Sequence, residues 1–302
     1  MRAFVTGATG FIGSHVARAL LAEGWEVRAL RRATSPGWVQ EGPPPEWVPG
    51  DLEDEAALER ACVGCDAVFH VAAHYALWAD DEAVFQRVNV EGTRRVLRAA
   101  RKAGVPRVVH TSSVACVGQA PPGGLATEDT LATFADLCGG YERSKFAAEQ
   151  LALEAARSGQ DVVVVNPASS IGPGDVKPTP TGKIVLDFLR GRMPFYLETG
   201  LNFVDVRDVA QGHLLAYAKG RAGQRYILGH PEGNRSLKEF LVLLGAAAGR
   251  PAPRLKIPYA LAWLAGATST LVADRLTHRP PAVPRVGVEC PSSACSSTRA
   301  RP

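Results

Sequence analysis

The stretch Met1-Arg-Ala-Phe-Val-Thr-Gly-Ala-Thr-Gly-Phe-Ile-Gly13 decides the fold of this chain. An apolar run, Arg2–Thr6, leads directly into Gly7, Gly10 and Gly13, and a helical pattern follows. Gly7 permits a tight turn, Gly10 lets a pyrophosphate approach the backbone, and Gly13 allows close packing of helix on strand. Free N–H groups at a helix start favour phosphate oxygens. The context predicts a dinucleotide-binding unit; the alternative is a purely structural glycine turn.

Strands and helices alternate through the first half of the chain. Such alternation implies right-handed crossovers and a parallel sheet. Apolar runs without alternation, such as Val162–Val165, fit strands that are covered on both faces. We predict an α/β fold, a Rossmann-type doubly wound parallel sheet, over residues 1–166. Its strands are Arg2–Thr6, Glu26–Leu30, Ala67–His70, Arg107–His110 and Asp161–Asn166, and its helices are Phe11–Glu23, Glu53–Cys62, Asp80–Ala103 and Tyr141–Ser158.

The pattern changes after residue 166. Pro and Gly cluster over residues 167–182, and helical patterns with only short strands between them follow. Residues 167–277 are therefore predicted to form a smaller, mostly helical substrate-binding portion. Its helices are Ile184–Arg190, Arg207–Lys219, Leu237–Ala248 and Tyr259–Leu271. Residues 278–302 are rich in Pro, Ser, Cys and Arg without usable periodicity, which predicts an irregular, disordered tail.

Charge and composition exclude several classes of function. The formal net charge of +4 comes mostly from residues 278–302, so the remaining chain is nearly neutral. That balance favours neither nucleic acid nor an anionic membrane as a partner. The longest apolar stretch, Tyr259–Ala273, is too short to span a bilayer. A strand follows Met1 at once, so we expect no signal peptide and a cytoplasmic location.

The six cysteines fit reduced thiols in that compartment. Cys62 and Cys65 form a CxxC, but no second ligand pair lies near them in the sequence. We interpret the pair as a helix end turning into a strand and expect no metal site.

The residues after the second strand bear on the choice of cofactor. NAD sites place an acid there for the ribose 2′-hydroxyl, whereas an arginine accommodates the 2′-phosphate of NADP. Here Arg31 and Arg32 follow the strand without an acid, which favours NADP and leaves NAD possible. The alternative is two solvated arginines on a loop. Asp51, followed by Leu52, comes after a third strand and is placed to meet the adenine.

A second motif carries proton chemistry. Tyr141 and Lys145 open a helical segment four residues apart, so they share one face. A phenol is a poor base near neutral pH, and an adjacent ammonium would stabilise its phenolate. Ser112 and Ser113 follow a strand at the edge where ligands bind in open α/β sheets, and either could hydrogen-bond a substrate carbonyl. Alone, Tyr-x-x-x-Lys is usually a helix surface; behind the glycine motif it predicts a catalytic pair.

These motifs together resemble the extended short-chain dehydrogenases/reductases, from Met1 to about Arg275. The branch most similar is that of the dihydroflavonol-4-reductase-like proteins, which includes the hopanoid-associated sugar epimerases. The likeness is carried, in order, by Gly7-x-x-Gly10-x-x-Gly13, Asp66–Ala73, Asn89–Thr93, Thr111-Ser112-Ser113, Tyr141-x-x-x-Lys145, Asn166–Asp175, Lys177–Gly182 and Gly191–Pro194. Residues after about Thr277 do not resemble the branch, which suggests a shifted reading frame or a diverged terminus.

The resemblance implies hydride transfer between a nicotinamide and a secondary alcohol or ketone. It implies Ser113, rather than Ser112, as the catalytic hydroxyl that polarises the oxygen. Tyr141 would transfer the proton, and Lys145 would lower the pKa of Tyr141 and hold the nicotinamide ribose. The full expected cofactor site is Gly7, Gly10, Phe11, Ile12, Gly13, Arg31, Arg32, Asp51, Leu52, Val71, Ala72, Ala73, Asn89, Tyr141, Lys145, Pro167, Ala168, Ser169 and Ser170, the last four lining the nicotinamide pocket.

The substrate is less closely specified. Nucleotide-sugar epimerases of this family commonly carry an arginine where this chain has Leu201. The residues expected to face the substrate are largely aromatic: His74, Tyr75, Leu77, Trp78, Phe195 and Tyr196, with Asn166. For each aromatic, core packing is the alternative. We predict an NADP(H)-dependent oxidoreductase acting on a fairly hydrophobic small molecule. An NAD(P)-dependent nucleotide-sugar epimerase or dehydratase, or an NADP-sensing regulator without turnover, are the alternatives, and a homodimer is a possible assembly.

Overall fold

The computed structural model of the protein describes residues 1–119 and 124–289. Its centre is a seven-stranded sheet in the order β10-β6-β5-β4-β1-β2-β3, in which every neighbouring pair is parallel. The reversal of strand order beside β1 makes the sheet doubly wound and confirms the predicted fold class. The strands are β1 (Arg2–Thr6), β2 (Glu26–Arg31), β3 (Glu46–Pro49), β4 (Ala67–His70), β5 (Arg107–Thr111), β6 (Val162–Pro167) and β10 (Arg225–Leu228).

Helices cover both faces of this sheet. Those of the first half are α1 (Phe11–Ala22), α2 (Glu55–Cys62), α3 (Ala83–Phe85), α4 (Gly92–Lys102) and α5 (Gly140–Arg157). The sequence predicted one helix from Asp80 to Ala103, but a π-helical turn, Gln86–Glu91, separates α3 from α4. In that turn Asn89 and Val90 are buried. Short π-helical insertions of this kind are frequent at functional sites.

The core consists of one apolar layer on each face of the sheet. On one face α2, α4 and α5 pack over residues such as Phe4, Val68 and Val108. On the other face α1 and α7 (Val206–Lys219) pack over Val5, Phe69 and their neighbours. Because both faces are covered, the strands are apolar throughout, as in β6, where all six residues are buried.

The second half forms a smaller layer beside the carboxyl edge of the sheet. Its own core is built around Phe188, Phe203, Phe240 and Leu241. It contains a three-stranded sheet in the order β11-β9-β7 and a two-stranded sheet of β8 and β12. The strands are β7 (Ser169–Ile171), β8 (Phe195–Tyr196), β9 (Gly200–Asp205), β11 (Asn234–Ser236) and β12 (Leu255–Lys256), and the helices are α6 (Pro180–Leu189), α8 (Leu237–Ala248), α9 (Tyr259–Val272) and α10 (Val286–Glu289).

The predicted boundary at residue 166 does not separate two units in space. α7 packs on α1, and β10 adds the seventh strand to the main sheet beside β6. Residues 206–228 therefore complete the first unit, although they follow it in the sequence.

The predicted irregular tail is partly ordered. Thr277 ends a π-helical turn that starts at Ala273, and α10 follows with Val288 buried next to Gly266 of α9. That burial gives the short helix a place on α9, which periodicity alone could not indicate. Residues 290–302 of the predicted tail lie outside the described residues.

Candidate active site

The glycine turn after β1 has the shape that its spacing predicts. Gly7 has φ +76°, and a Cβ there would meet the Ala72 nitrogen at 2.7 Å. A Cβ at Gly13 would lie 2.1 Å from the Gly7 carbonyl oxygen. At Gly10 the nearest heavy atom to a Cβ would be that same oxygen at 3.2 Å, so the outer side of Gly10 is open. The protein itself thus requires Gly7 and Gly13, whereas Gly10 leaves room for a ligand.

Helix α1 starts at the open side of this turn. Its N-terminal residue Gly10 has no capping side chain among the described residues, so N–H groups of the first turn are available to an anion. Phe11 and Ile12 are half-buried and form that first turn. The 12-residue helix α1 has no side-chain cap, and the turn before it leaves space beside Gly10 that a side chain there would fill. This arrangement fits the pyrophosphate of a dinucleotide.

The predicted adenosine end lies at the ends of β2 and β3. The Arg31 guanidinium lies 5.2 Å from the centre of the Trp47 ring, and Arg32 is exposed. Asp51 is also exposed, and its Oδ1 accepts hydrogen bonds from the N–H groups of Glu53 (2.8 Å) and Asp54 (3.2 Å). Leu52, in contrast, is buried against Gly92 and belongs to the core. Only the small exposed part of the Leu52 side chain can therefore contact a cofactor.

The Tyr141 side chain, predicted as the proton donor, meets Ser113 at the carboxyl edge of the sheet. Burial raises the pKa of Tyr141 well above its ordinary value, with Tyr75 and Cys116 adding to the rise and the Ser113 hydroxyl acting against it. Ser113 lies two residues after the end of β5, and Tyr141 is the second residue of α5, so two neighbouring elements bring them together. Tyr141 is consequently a protonated phenol at neutral pH, suited to give a proton.

Lys145 lies one helical turn below Tyr141 and is buried. Its Nζ donates a 2.6 Å hydrogen bond to the Thr111 carbonyl oxygen at the end of β5. Burial lowers the pKa of Lys145 to about 8, against opposing effects of Cys116 and Glu149. The groups that shift the pKa of Tyr141 most do not include Lys145. The expected lowering of the Tyr141 pKa by Lys145 is therefore not seen here, because the ammonium is directed to a backbone carbonyl.

Two residues that were predicted to contact ligands, Asn89 and Asn166, instead form hydrogen bonds within the protein. Asn89 accepts a 2.7 Å hydrogen bond from the His74 N–H and donates to the His74 carbonyl and to Ser144. Asn166 is fully buried and donates to the Ser113 carbonyl oxygen at 2.9 Å. Asn89 thus fixes the loop after β4, and Asn166 supports Ser113 from behind. Since Asn166 has no exposed surface, its predicted contact with substrate is not supported.

The other expected cofactor contacts follow β4 and β6. Val71 and Ala72 are half-buried and Ala73 is exposed at the edge beside Gly7, where the Ala72 N–H donates to Thr6 Oγ at 3.2 Å. Pro167, Ala168 and Ser170 are buried, and Ser169 is half-buried. Both groups lie at carboxyl ends of strands neighbouring β5, as a ligand site in an open α/β sheet requires.

The expected substrate residues divide into two sets. Tyr75 lies on Tyr141, with ring centres 4.6 Å apart, and the His74 ring packs on Phe85 at 5.2 Å. Trp78 donates to Asp274 at 2.7 Å. Tyr196, however, is buried in the core of the second half, and Phe195 next to it is exposed on β8. Their predicted contact with substrate is therefore not supported, because strand alternation turns Tyr196 into the core.

A cavity of about 380 Å³ adjoins Tyr141. Leu77, Trp78, Phe85 and Val286 form its apolar walls, and carboxylates of Asp80, Glu82 and Asp274 line it. Two basic residues of the lining already contact carboxylates: His278 contacts Asp80 at 2.8 Å, and Arg285 contacts Glu289 at 2.7 Å. The far wall comes from residues 270–286, which the sequence assigned partly to a tail. Asp274 and His278 show that this segment forms part of the cavity wall, because they contact Trp78 and Asp80, which lie 196 and 198 positions earlier in the chain.

Sequence reasoning also missed a buried ion pair behind the site, between Glu149 and Arg225. Glu149 follows Lys145 by one more helical turn, and that spacing was the available signal. Its partner lies 76 residues later, so only the pairing of β10 with β6 brings the two charges together.

Comparison with known proteins agrees with this geometry. The family model described as the NAD dependent epimerase/dehydratase family matches residues 3–229. The chain belongs to this family. As a member of it, with relatives that are reductases and epimerases, the protein is an NAD(P)-dependent oxidoreductase of the extended short-chain dehydrogenase/reductase type.

Individual relatives span both kinds of activity. A Synechocystis protein provisionally named as a dihydroflavonol 4-reductase is 48% identical over 293 residues, which is 95% of this chain and 83% of the relative. Cinnamoyl-CoA reductase 1 of Arabidopsis thaliana is 35% identical over 248 residues, 76% of this chain and 71% of the relative. The structure of UDP-glucose 4-epimerase from Thermus thermophilus, a complex with NAD, is 30% identical with TM-score 0.73, covering 85% of this chain and 86% of that one.

The described residues lack two kinds of feature. Within residues 1–119 and 124–289, none of the helices combines the length and the apolar character that a bilayer crossing requires. Over the same ranges, His, Cys, Asp and Glu side chains form no group of three or more that could hold a metal ion. Cys62 and Cys65 are free, buried thiols at the end of α2, as their interpretation as a helix end predicts.

Proposed function

We propose that the protein is an NADP(H)-dependent reductase of a ketone group on a fairly hydrophobic, uncharged small molecule, with the reverse oxidation of the secondary alcohol as its other direction. The observation that carries the proposal is the half-buried Tyr141 side chain, which meets Ser113 at the carboxyl edge of the sheet beside a cavity whose charged lining is mainly acidic; its raised pKa keeps the phenol protonated at neutral pH. A protonated phenol favours the step in which a carbonyl oxygen gains a proton.

The residues of the site divide the work as follows. Ser113 polarises the substrate carbonyl oxygen by a hydrogen bond, and Tyr141 transfers its hydroxyl proton to that oxygen. With the cofactor bound, Lys145 would hold the nicotinamide ribose, and Gly10 with the first turn of α1 would hold the pyrophosphate. The bound nicotinamide would supply the hydride that the carbonyl carbon gains. Asn166 and Asn89 keep Ser113 and the loop after β4 in place.

The charges around the cavity favour reduction of an uncharged substrate over reactions of a nucleotide sugar. A diphosphate needs cations, but Leu201 lies where related epimerases carry an arginine, and it packs against the core of the second half. Asp80, Glu82 and Asp274 would repel a diphosphate that entered the cavity beside Tyr141. The high identity to a dihydroflavonol-reductase-named relative supports the same reading.

The choice of NADP depends on Arg31 and Arg32. Arg31 ends β2 and Arg32 follows it, where a 2′-phosphate would lie, and Arg31 is held against the Trp47 ring. Arg32 has no ion pair within the described part of the chain, so its guanidinium is available to a phosphate.

A mass-balance assay tests the function. The enzyme is incubated with NADPH or NADH and a panel of uncharged aryl and alkyl ketones, and the alcohol formed is compared with the cofactor consumed. We expect one alcohol per NADPH, a preference for NADPH over NADH, and loss of turnover in Tyr141→Phe with cofactor binding retained. Interconversion of a nucleotide sugar without net cofactor consumption would instead establish the epimerase function and overturn the proposal.

A further inference from the structure

Three residues one helical turn apart line the inner face of α5. Tyr141, Lys145 and Glu149 occupy positions i, i+4 and i+8, so they point to the same side of the helix. Lys145 and Glu149 are both buried, and Glu149 has no exposed surface. A carboxylate in such a place must be compensated by charge and hydrogen bonds. The proposed function uses the first two residues and leaves Glu149 without a role.

Glu149 joins two parts of the fold. Its Oε1 accepts a hydrogen bond from Arg225 Nη1 of β10 at 2.9 Å, and its Oε2 accepts one from Asn166 Nδ2 of β6 at 2.7 Å. That same Asn166 amide donates to the Ser113 carbonyl oxygen at 2.9 Å. Both carboxylate oxygens of Glu149 therefore accept hydrogen bonds. The Asn166 side chain alone connects one of them, Oε2, to the backbone of the catalytic Ser113.

Arg225 continues the connection to the segment after β5. Besides Glu149, it donates to the carbonyl oxygens of Glu128 (2.6 Å), Thr130 (2.8 Å) and Cys116 (3.3 Å). Asn166 is therefore bonded to the backbone at Ser113, and Arg225 is bonded to the backbone at Cys116, Glu128 and Thr130. The Glu149 carboxylate is the group that these two donors share.

The surroundings of Lys145 make the charge of Glu149 important. Lys145 interacts electrostatically with His70 of β4, His110 of β5, Cys116 of the turn after β5 and Glu149, and it shares a helix face with Tyr141 and Glu149. Burial lowers the pKa of His70 to about 3 and raises that of Cys116 to about 12, so both are neutral near pH 7. His110 is neutral for the same reason as His70. Glu149 supplies the negative charge in this set.

We propose that Glu149 is a positioning residue whose carboxylate, shared by Arg225 and Asn166, fixes the Ser113 backbone and keeps the buried Lys145 amine charged. The part that concerns turnover rests on the proposed function, whereas the electrostatic part does not. Because the charge of the Glu149 side chain matters as well as its shape, the uncharged isostere Glu149→Gln is the decisive variant.

The test is the titration of the Lys145 side chain in the protein without substrate. NMR of 15N-lysine-labelled protein follows the Lys145 Nζ signal with pH, and Lys145→Met identifies that signal. We expect Glu149→Gln to move the titration midpoint to lower pH, because the ammonium loses its negative neighbour. Glu154→Gln, an exposed carboxylate on the same helix that pairs with Arg157, should leave the midpoint unchanged. An unmoved midpoint in a folded E149Q overturns the proposal.

Kinetics of the same variants test the positioning part. In E149Q, kcat for ketone reduction should fall about tenfold or more with little change in KM, and the limb of the pH profile that reports Lys145 should shift with the NMR midpoint. Glu149→Asp keeps the charge but is too short to reach both partners, so its midpoint should stay near that of the wild type while kcat falls. If E149Q does not fold, a wild-type kcat in E149D overturns the proposal. A shifted midpoint without any ketone turnover supports the electrostatic inference and rejects the proposed function.

Discussion

The ring of Tyr75 lies against the ring of Tyr141, with centres 4.6 Å apart and planes at 42°. Tyr75, itself nearly half exposed, thereby covers the phenol that is proposed to give the proton. Burial is the largest cause of the raised pKa of Tyr141, and Tyr75 is the next. The loop after β4 therefore takes part in setting the chemistry of α5.

Tyr75→Ala should lower the pKa of Tyr141 towards its ordinary value, because water reaches the phenol. Ultraviolet phenolate absorbance against pH measures this, with Tyr141→Phe identifying the signal. Tyr75→Phe keeps the covering ring but removes the Tyr75 hydroxyl, whose charge also raises the pKa of Tyr141, so its titration should fall between those of Tyr75→Ala and the wild type. Equal curves for Tyr75→Ala and the wild type would show that Tyr75 does not protect the phenol.

Substitutions at two glycines of the turn should separate an effect on fold stability from an effect on cofactor binding. Gly13→Ala places a Cβ 2.1 Å from the Gly7 carbonyl oxygen and should destabilise the fold by about 3 kcal/mol. Gly10→Ala meets only one atom, at 3.2 Å, and its φ of −92° suits alanine, so stability should change little. Cofactor affinity should nevertheless fall about tenfold or more in Gly10→Ala, since the Cβ occupies the pyrophosphate space. Denaturant unfolding and calorimetric titration measure the two effects, and normal NADPH binding by Gly10→Ala would place the cofactor elsewhere.

Arg32→Ala should weaken NADPH binding by about 10-fold to 100-fold and leave NADH binding nearly unchanged, because a charge-assisted hydrogen bond to the 2′-phosphate is lost. Fluorescence titration with both cofactors measures this difference. Arg157→Ala, on the exposed end of α5, removes a cation without touching the site and controls for net charge. The same loss for NADH as for NADPH would mean that Arg32 does not recognise the 2′-phosphate.

Three buried histidines should make the fold sensitive to acid. Burial lowers the pKa of His70 to about 3, that of His213 to about 4, and that of His110 well below its ordinary value. Below pH 6.5 the unfolded chain binds protons that these folded residues do not, so stability falls as pH falls. Each should contribute about 1.4 kcal/mol per pH unit between pH 6.5 and its folded pKa.

Denaturant unfolding at pH 7, 6 and 5 measures this slope. His213→Gln keeps a polar side chain next to Thr111 and should reduce the slope by the share of one histidine. A free energy of unfolding that is flat between pH 7 and 5 would contradict the burial of neutral imidazoles.

The amino-acid sequence by itself determined the α/β class, the parallel strands of the first half and the glycine turn. It also determined that Tyr141 and Lys145 share a face. These features depend on local rules: the period of a strand or a helix, the conformational freedom of glycine, and the four-residue repeat of α5. Such rules act over a few neighbours, so they can be read without knowing what packs against them.

Tertiary structure decided which side chains meet across long stretches of chain. Asn166 and Tyr196 were expected at the substrate, yet one supports Ser113 and the other lies in the core. Glu149 finds Arg225 only because β10 pairs with β6, and Trp78 finds Asp274 only because α9 returns to the loop after β4. Burial, and with it the charge state of Tyr141 and Lys145, is a property of the packed molecule. No local pattern contains it.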